Sequence, residues 1–446
     1  MTEKTMHIGF DDTDSPRRGC TTYVAAVLVE KLQRLSVKFM DYPNLVRLNP
    51  NVPWKTRGNG ALCLRIRYDE DHEEKIKECV ISTVEEHADL EYEGTHPGIV
   101  FLEGSHPPPQ VRNFAKKSIT GIVNLGNALK ILKEVHAEAC GFKKNRGIIG
   151  GLAAVGEPLK GDHTFEILGY RTPENRGLER KVDRSSVMEM DERTSPHTFS
   201  NIDRETGRIL ITPGGPDPVL LGIRGENANI VKEAFEIVKP LEPVERWTIF
   251  RTNQGTDAHL KPVKELSQIE PYKPVVATGT VAEDPKIIPR RHVIFPLEDE
   301  STQVDCAAYE PTGALRKAAR KLIDGDYIQV AGGVRPPSQD IPLTINLEKF
   351  RVLDMETKIS RHNPVCPQCR KRLESMGRDQ GFRCKKCGSR YPDLDKVDVE
   401  LNRELKETLY ITSPRSQRHL TKPDRRYGKE KRHARDEKLI ENWHFP

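Results

Sequence analysis

The residues with the clearest chemical signature are four cysteines. Cys366-Pro-Gln-Cys369 and Cys384-Lys-Lys-Cys387 make a C-x₂-C-x₁₄-C-x₂-C pattern. Two such knuckles place four thiolates at the corners of a tetrahedron around Zn²⁺, with Zn–S distances of about 2.3 Å. Cysteine fills all four positions, so no coordination site is left for water and the zinc is expected to be structural. Gly388 follows the second pair, where a tight turn lets backbone N–H groups point at sulfur. Arg370, Lys371, Arg372, Lys385 and Lys386 decorate the knuckles, a surface that suits RNA or DNA.

Asp11, Asp12 and Asp14 form the second constellation, in Gly9-Phe-Asp-Asp-Thr-Asp-Ser15, and Cys20-Thr-Thr22 follows. Three carboxylates within four residues repel one another unless a cation sits among them, and Mg²⁺ takes hard oxygen ligands. A helix predicted from Thr21 puts Thr21 and Thr22 in its first turn, where an anion is favoured. These parts make a Mg²⁺–phosphate site with Thr13, Ser15 and Thr22 as candidate phosphate ligands. The same residues also read as an Asp-rich turn in which Asp14 or Ser15 caps a helix. No G-x₄-G-K-[ST] occurs, so a nucleotide site here is not a P-loop. Farther on, the amides of Gly58 and Gly60, with Lys55 and Arg57 beside them, are a candidate phosphate cradle; a plain turn accounts for Arg57–Gly60 as well.

These groups need elements to hold them. His7–Phe10 reads as a short strand and Thr21–Leu35 as an amphipathic helix with Val24, Leu28, Leu32 and Leu35 on one stripe. Ala61–Tyr68 alternates like a half-buried strand, Asp71–His87 reads as a helix and Gly98–Leu102 as a strand. With a strand from Val37–Leu48 the order is β-α-β-β-α-β, an α+β layer with helices on one face of a sheet. A helical stretch at Ile119–Ala137 leads to a second block with strands expected at Arg146–Gly156, Thr164–Tyr170, Arg208–Thr212, Val219–Ile223 and Trp247–Arg251, and a helix at Glu226–Val238. Prolines from 240 to 274 mark a linker. Val275–Leu353 then shows five short strands with a helix, Gly313–Leu322, between the third and fourth, the order of an OB-fold barrel. After the cysteines comes a helical stretch near Val397–Thr408 and a basic end.

Composition bounds the rest. At 446 residues the chain is too long for one core and is expected to hold two to four domains. Hydrophobic residues make up 36% and charged residues 31%, and no apolar run approaches the roughly 18 residues of a membrane helix. The opening MTEKTMHIGF lacks a secretory h-region, and nine cysteines, an odd number, show no disulfide framework. A cytoplasmic protein without membrane contact is therefore expected, and no obligate protein partner is evident. Between Arg415 and Lys438 stand ten Lys and Arg against four Asp and Glu, while the remainder is nearly neutral. With His419, Tyr427, His433 and Trp443 among the charges, this tail reads either as solvated coil or as a nucleic-acid contact.

The run Ile8-Gly-Phe-Asp-Asp-Thr-Asp-Ser15 with Gly19-Cys-Thr-Thr22 resembles the opening motif of the archaeal synthetases that make 2-agmatinylcytidine in isoleucine tRNA. Arg47–Gly60, Asn145–Gly150 and Ile211–Val219 are similar to the same family, and the resemblance spans roughly Met6 to Pro392. It implies an α+β multidomain chain: an ATP-binding kinase-like α/β domain over residues 1–138, possibly discontinuous, and a ferredoxin-like agmatine-binding domain over 139–255. An OB-fold β-barrel over 273–355, a zinc ribbon over 363–392 and a helical, basic tail over 393–446 complete it.

The implied reaction modifies the wobble cytidine of a tRNA with a CAU anticodon, so that it decodes AUA. ATP phosphorylates the 2-oxo group, the amine of agmatine displaces phosphate, and AMP and two phosphates are released. In this scheme Asp11, Asp12, Asp14 and Thr21 are catalytic, Thr21 being the autophosphorylated position, and the aspartates hold Mg²⁺. Agmatine is a dication whose guanidinium calls for a carboxylate, and Glu166 and Asp217 are the candidates in the second block. The alternative is a non-enzymatic single-stranded nucleic-acid-binding protein built on the OB-fold and ribbon, which leaves Asp11–Asp14 without a purpose.

Overall fold

The computed structural model describes residues 3–432 and 437–446, so His433 lies outside the described residues. β1 (Glu3–Asp11), α1 (Thr21–Gln33), β2 (Asn44–Arg47), β3 (Gly60–Asp69), α2 (Glu73–His87) and β4 (Gly98–Glu103) follow one another in the expected order. The strand expected over Val37–Leu48 is two pieces, β2 and a short strand at Lys38–Phe39. In the sheet the strands run β4-β1-β3-β2. Leu62, Leu64 and Ile66 of β3 join the core under α1 and α2. Ala61 and Cys63, with the opposite parity, join a second core under α3 (Pro109–Thr120), α4 (Leu125–Glu134) and α5 (Gly147–Gly156). Helices therefore cover both faces of this sheet, not one, because both side-chain sets of the strand are apolar enough to be buried.

The element α5 corrects a second expectation. Arg146–Gly156 reads as a strand, yet Gly147–Gly156 is a helix, nearly all of it buried. Gly147, Gly150 and Gly151 each weaken a helix by about 1 kcal/mol relative to Ala, but they let its backbone lie against β1 and β4. A side chain at Gly9 would overlap the Gly151 carbonyl, and one at Gly98 would overlap the backbone of Ile148. Tertiary packing outweighs propensity here.

The second half consists of β5 (Thr164–Arg171), α6 (Arg184–Thr194), β6 (Val219–Gly225), α7 (Ala228–Ile237) and β7 (Val244–Thr252). Its ferredoxin-like antiparallel order is β7-β5-β6, with α6 and α7 packed against it. β7 pairs in parallel with β2, Arg251 opposite Asn44 and Thr252 opposite Leu45, so one 11-stranded sheet runs through both halves.

The OB-fold barrel has β8 (Val275–Val281), β9 (His292–Glu298), β10 (Gln303–Ala308), α8 (Ala314–Ala319), β11 (Tyr327–Arg335) and β12 (Thr344–Asp354). It closes where Thr280 and Val281 of β8 meet Glu298 and Leu297 of β9. The cysteine ribbon hangs on a two-stranded stalk, β13 (Ile359–His362) against β14 (Val397–Glu400). Among the described residues no helix is long and apolar enough to cross a membrane.

The last segment overturns both readings of residues 393–446 as a helical stretch and a loose basic tail. Val397–Glu400 is strand, and no α-helix occurs among the described residues of this range. The chain then threads back through the molecule. β15 (Leu409–Ile411) pairs with β12 of the barrel, and β16 (His444–Phe445) pairs with β7 of the central sheet. Its cations meet acids already in place. Arg415 bonds Asp203, Arg425 bonds Asp191, and the fully buried Arg426 bonds Asp162, Glu226 and the carbonyl of Gly255. Trp443 sits in the main core. Charge count alone could not reveal this, because the complementary acids lie some 200 residues upstream.

Two outcomes follow for stability. Arg426→Ala strands Asp162 and Glu226, and removing one member of such a set costs about 3–5 kcal/mol, so thermal unfolding should begin several degrees lower; an unchanged Tm would refute the role of the segment as a structural strap. Glu348 is also buried and bonds His259 and the Thr421 hydroxyl. Burial pushes its carboxyl up, but His259, Arg418 and Thr421 outweigh burial and hold it at about 2, below its ordinary 4.5. A depressed carboxyl stabilises the fold above the unfolded value and ceases to do so as pH falls toward the folded one. The Tm gap between the wild type and Glu348→Gln should therefore be full at neutral pH and narrow below about 4.5.

Candidate active site

β1 delivers Asp11 to the edge of a cavity of about 470 Å³ between the two halves of the sheet. Asp12 follows at φ 63°, a left-handed conformation that Asp tolerates better than most residues. The turn aims successive carboxylates in different directions. Asp12 accepts from Arg146 Nε at 3.0 Å and Nη2 at 2.9 Å, and from the backbone N–H of His96 at 3.2 Å. Asp14 accepts from Arg57 Nε at 2.8 Å. Among the described residues Asp11 has no basic partner, and its Oδ2 lies where a side chain at Gly150 of α5 would stand. Burial and the adjacent Asp12 push the Asp11 carboxyl well above the usual carboxylate range. Burial raises Asp12 too, against the pull of Arg146.

Of the residues expected from sequence, Asp11, Asp12, Asp14, Thr21, Thr22, Lys55, Arg57, Gly58, Gly60, Glu166 and Asp217 all line this one cavity. Thr13 and Ser15 do not. The Thr13 hydroxyl donates to Thr21 Oγ1 at 3.0 Å from inside the fold. The Ser15 hydroxyl donates to buried Asp89 at 2.6 Å and accepts from the N–H groups of Arg17 and Arg18, so it closes a turn and faces no cavity. The three aspartates do not form a preassembled cation cage either. Among the described residues, the cluster whose ligand atoms all fall within 4.8 Å is the four cysteines.

Arg57 ties the halves together: Nε on Asp14, Nη1 on Asp217 at 3.1 Å and Nη2 on the Gly19 carbonyl at 2.7 Å. Burial lowers its pKa, but Asp14, Cys20 and Asp217 more than compensate. Asp217 also accepts from Arg180 at 3.3 Å. On β5, buried Glu166 accepts from Arg224 Nε at 2.9 Å and from the Gln254 amide. His419 of the C-terminal segment completes this wall, with Nδ1 3.0 Å from Arg224 Nη2 and 2.9 Å from Gln254 Oε1. Burial, then Arg47 and Arg224, drive its pKa well below the ordinary value, so the imidazole is neutral.

Arg47, Arg146 and Arg224 line the cavity without having been singled out from sequence, and His419, read there only as part of the basic tail, lines it too. Arg47 and Arg146 lie within segments that resemble the synthetase family, Arg224 follows the strand expected at Val219–Ile223, and nothing local marked His419 for this cavity. The glycines of the proposed cradle also do something else. A methyl at Gly58 would stand 2.6 Å from Arg47 Nη1 and one at Gly60 2.8 Å from it, so both leave room for that guanidinium.

In the ribbon, Sγ separations of 3.6 Å (Cys366–Cys387), 3.2 Å (Cys369–Cys384) and 3.9 Å (Cys369–Cys387) bracket the roughly 3.8 Å edge of a tetrahedron with 2.3 Å Zn–S bonds. The donor set fits structural Zn²⁺.

A charged cavity inside an α/β sheet, joined to an OB barrel and a four-cysteine ribbon, defines a multidomain protein of nucleotide- and nucleic-acid-dependent chemistry. Family models described as the TiaS TCKD domain, the TiaS FLD domain and the TiaS C-terminal zinc ribbon domain match residues 7–144, 145–259 and 363–405. The 2-agmatinylcytidine synthetase TiaS of Pyrococcus horikoshii, named for the isoleucine-2 tRNA, is 44% identical over 94% of this chain and 96% of its own. That of Methanocaldococcus jannaschii is 42% identical over 94% and 98%. Among solved structures, a complex of TiaS with isoleucine-2 tRNA and ATP superposes with a TM-score of 0.85 at 38% identity, covering 94% of this chain and 97% of that one. A complex of TiaS with the same tRNA, AMPCPP and agmatine gives 0.83 at 37%, covering 94% and 96%. This chain belongs to the TiaS family of tRNA 2-agmatinylcytidine synthetases.

Replacing one ribbon ligand tests the metal assignment. Cys384→Ser should reduce bound zinc from one per chain to near zero by elemental analysis, with the Tm of the remaining domains little changed because the ribbon core is its own small cluster. Full zinc retention would refute a four-cysteine site.

Proposed function

We propose that this protein uses ATP to join agmatine to carbon 2 of the wobble cytidine of isoleucine tRNA with a CAU anticodon. The observation that carries this reading is that one 470 Å³ cavity holds both a phosphate-type set and a cation-binding set. Asp11, Thr21, Thr22 and Lys55 line one part and Glu166 and Asp217 another, so an activated base and an amine can meet there. Carbon 2 of cytosine is a poor electrophile, since attack sacrifices amide-like resonance. One phosphoryl group of ATP, passed to its oxygen, makes that oxygen a leaving group; the agmatine nitrogen then bonds to carbon 2, the carbon–oxygen bond breaks with its electron pair on the departing phosphate, and the amine's proton goes to solvent. The second phosphoryl group passes to Thr21 and on to water, leaving AMP and two phosphates.

Each residue has a part that its surroundings support. Asp11, with no basic partner among the described residues, is the carboxylate fitted to hold Mg²⁺, whereas Arg146 occupies both oxygens of Asp12 and Arg57 one oxygen of Asp14. Bound there, magnesium would neutralise phosphate charge. Thr21, at the start of α1 with its oxygen oriented by Thr13, is the phosphorylated hydroxyl. Glu166 and Asp217 take the two cationic ends of agmatine, trading arginine partners for the ligand. The OB barrel and the ribbon, with its exposed basic residues, grip the RNA. An anticodon loop must be splayed for its base to enter such a cavity. A tRNA substrate supports a cytoplasmic location for the enzyme.

Mass spectrometry of nucleosides from this tRNA after incubation with protein, Mg-ATP and agmatine tests the reading, with nucleotide products followed in parallel. An agmatine-sized addition to cytidine with release of AMP is expected. Asp11→Asn and Thr21→Ala should each slow it by on the order of 10²–10⁴ while leaving tRNA affinity within about twofold. ADP as the product would indicate a kinase, and RNA binding without an adduct a binding protein.

A further inference from the structure

Charge pairing around the cavity leaves a remainder. Arg57 is matched by Asp14 and Asp217, Arg146 by Asp12 and Arg224 by Glu166. Two cavity cations, Lys55 and Arg47, have no carboxylate within 4.0 Å among the described residues. Lys55 is solvated in part and already figures as a phosphate ligand. Arg47 is different, because its Nε is enclosed and donates to nothing. Burial draws its pKa down to about 10, with Glu166 offsetting only part of the loss.

A half-buried guanidinium with no anion beside it is costly to hold there, and its enclosed Nε, a donor with no acceptor among the described residues, calls for a specific explanation. Arg47 is nevertheless held firmly. Its backbone N–H donates to Asn253 Oδ1 at 2.8 Å and its carbonyl accepts from Asn253 Nδ2 at 2.9 Å, at the seam where β2 meets β7. Its side chain occupies the gap left by Gly58 and Gly60, 2.6 and 2.8 Å from where their Cβ atoms would be. Two glycines and an asparagine thus aim a planar five-donor group at the cavity and give it no partner.

We infer that Arg47 is a phosphoryl-binding residue of this cavity, receiving a phosphate group that arrives with substrate or forms during the reaction. The assignment rests on the synthetase reading above. The rigid fork of Arg matches two phosphate oxygens at once, which a lysine does not. The phosphate has two sources, the chain of ATP or the group carried on oxygen 2 of the base. In the second case Arg47 takes the charge that grows on the phosphate as the agmatine nitrogen bonds to carbon 2 and the carbon–oxygen bond breaks.

The full chain and its Arg47→Ala, Arg47→Lys and Gly60→Ala variants separate these sources through AMPCPP binding by calorimetry, single-turnover conjugation and Tm. AMPCPP affinity lower by about tenfold or more in Arg47→Ala, at unchanged Tm, assigns the ATP phosphates. Unchanged AMPCPP affinity with conjugation slowed by about tenfold or more assigns the phosphate on the base. Gly60→Ala keeps the charge but crowds the guanidinium, and should move the same quantity in the same direction. Both quantities within about twofold of wild type in Arg47→Ala overturn the proposal. So does a loss that tracks a lower Tm and is not recovered at all in Arg47→Lys. If the wild type itself neither binds AMPCPP nor forms the adduct, the synthetase reading has failed and the assignment falls with it.

Discussion

Five carboxylates line one cavity, and four of them leave bulk water with arginines beside them. Arg57 is the member on which the others depend, since it bonds Asp14 after β1, the Gly19 carbonyl before α1 and Asp217 before β6. It is the charge that lets acids from both halves of the sheet converge. Without it Asp14 and Asp217 would repel across the space that a substrate must enter. Such pairing also sets the cavity's specificity: an incoming cation has to do better than a resident guanidinium, and an incoming anion finds the cations that no acid has claimed.

Close backbone approach is the second constraint. Asp11 keeps its position because Gly150 has no side chain, and α5 can approach β1 because Gly9 and Gly151 meet there. The helix gives up propensity for that contact, and the site gains a carboxylate held against a rigid surface. Its raised pKa is the electrostatic record of the same burial. The placement of the Asp11 carboxylate and the packing of α5 are therefore two consequences of one set of glycines.

How much of this was legible depended on range. The cysteine spacing, the Asp11–Asp14 run and the strand–helix order of the barrel are local patterns, and the structure carries each of them. The α5 helix was not legible, because Gly147-Ile-Ile-Gly-Gly has poor helix propensity and only contact with β1 and β4 rescues it. Ser15 was misread because a hydroxyl beside three aspartates suggests a ligand, whereas Asp89 claims it from 74 residues away. Gly58 and Gly60, expected as a phosphate cradle or a plain turn, line the cavity, and what those glycines admit is a side chain from β2.

The basic end shows most clearly why composition misleads. Ten cations within 24 residues read as solvated coil or a nucleic-acid contact, yet the segment is not loose, since Arg415, Arg425 and Arg426 are engaged by acids of the ferredoxin-like half. The segment meanwhile crosses the barrel at β15 and Glu348, passes His419 into the cavity wall and ends on β7. The OB barrel and the chemical site are thus joined by one strap of chain in addition to the linker between them. His419 thus stands between that strap and the pair Arg224 and Gln254, both of which contact Glu166. In this fold the charge balance around the candidate agmatine carboxylate cannot be separated from where the barrel sits.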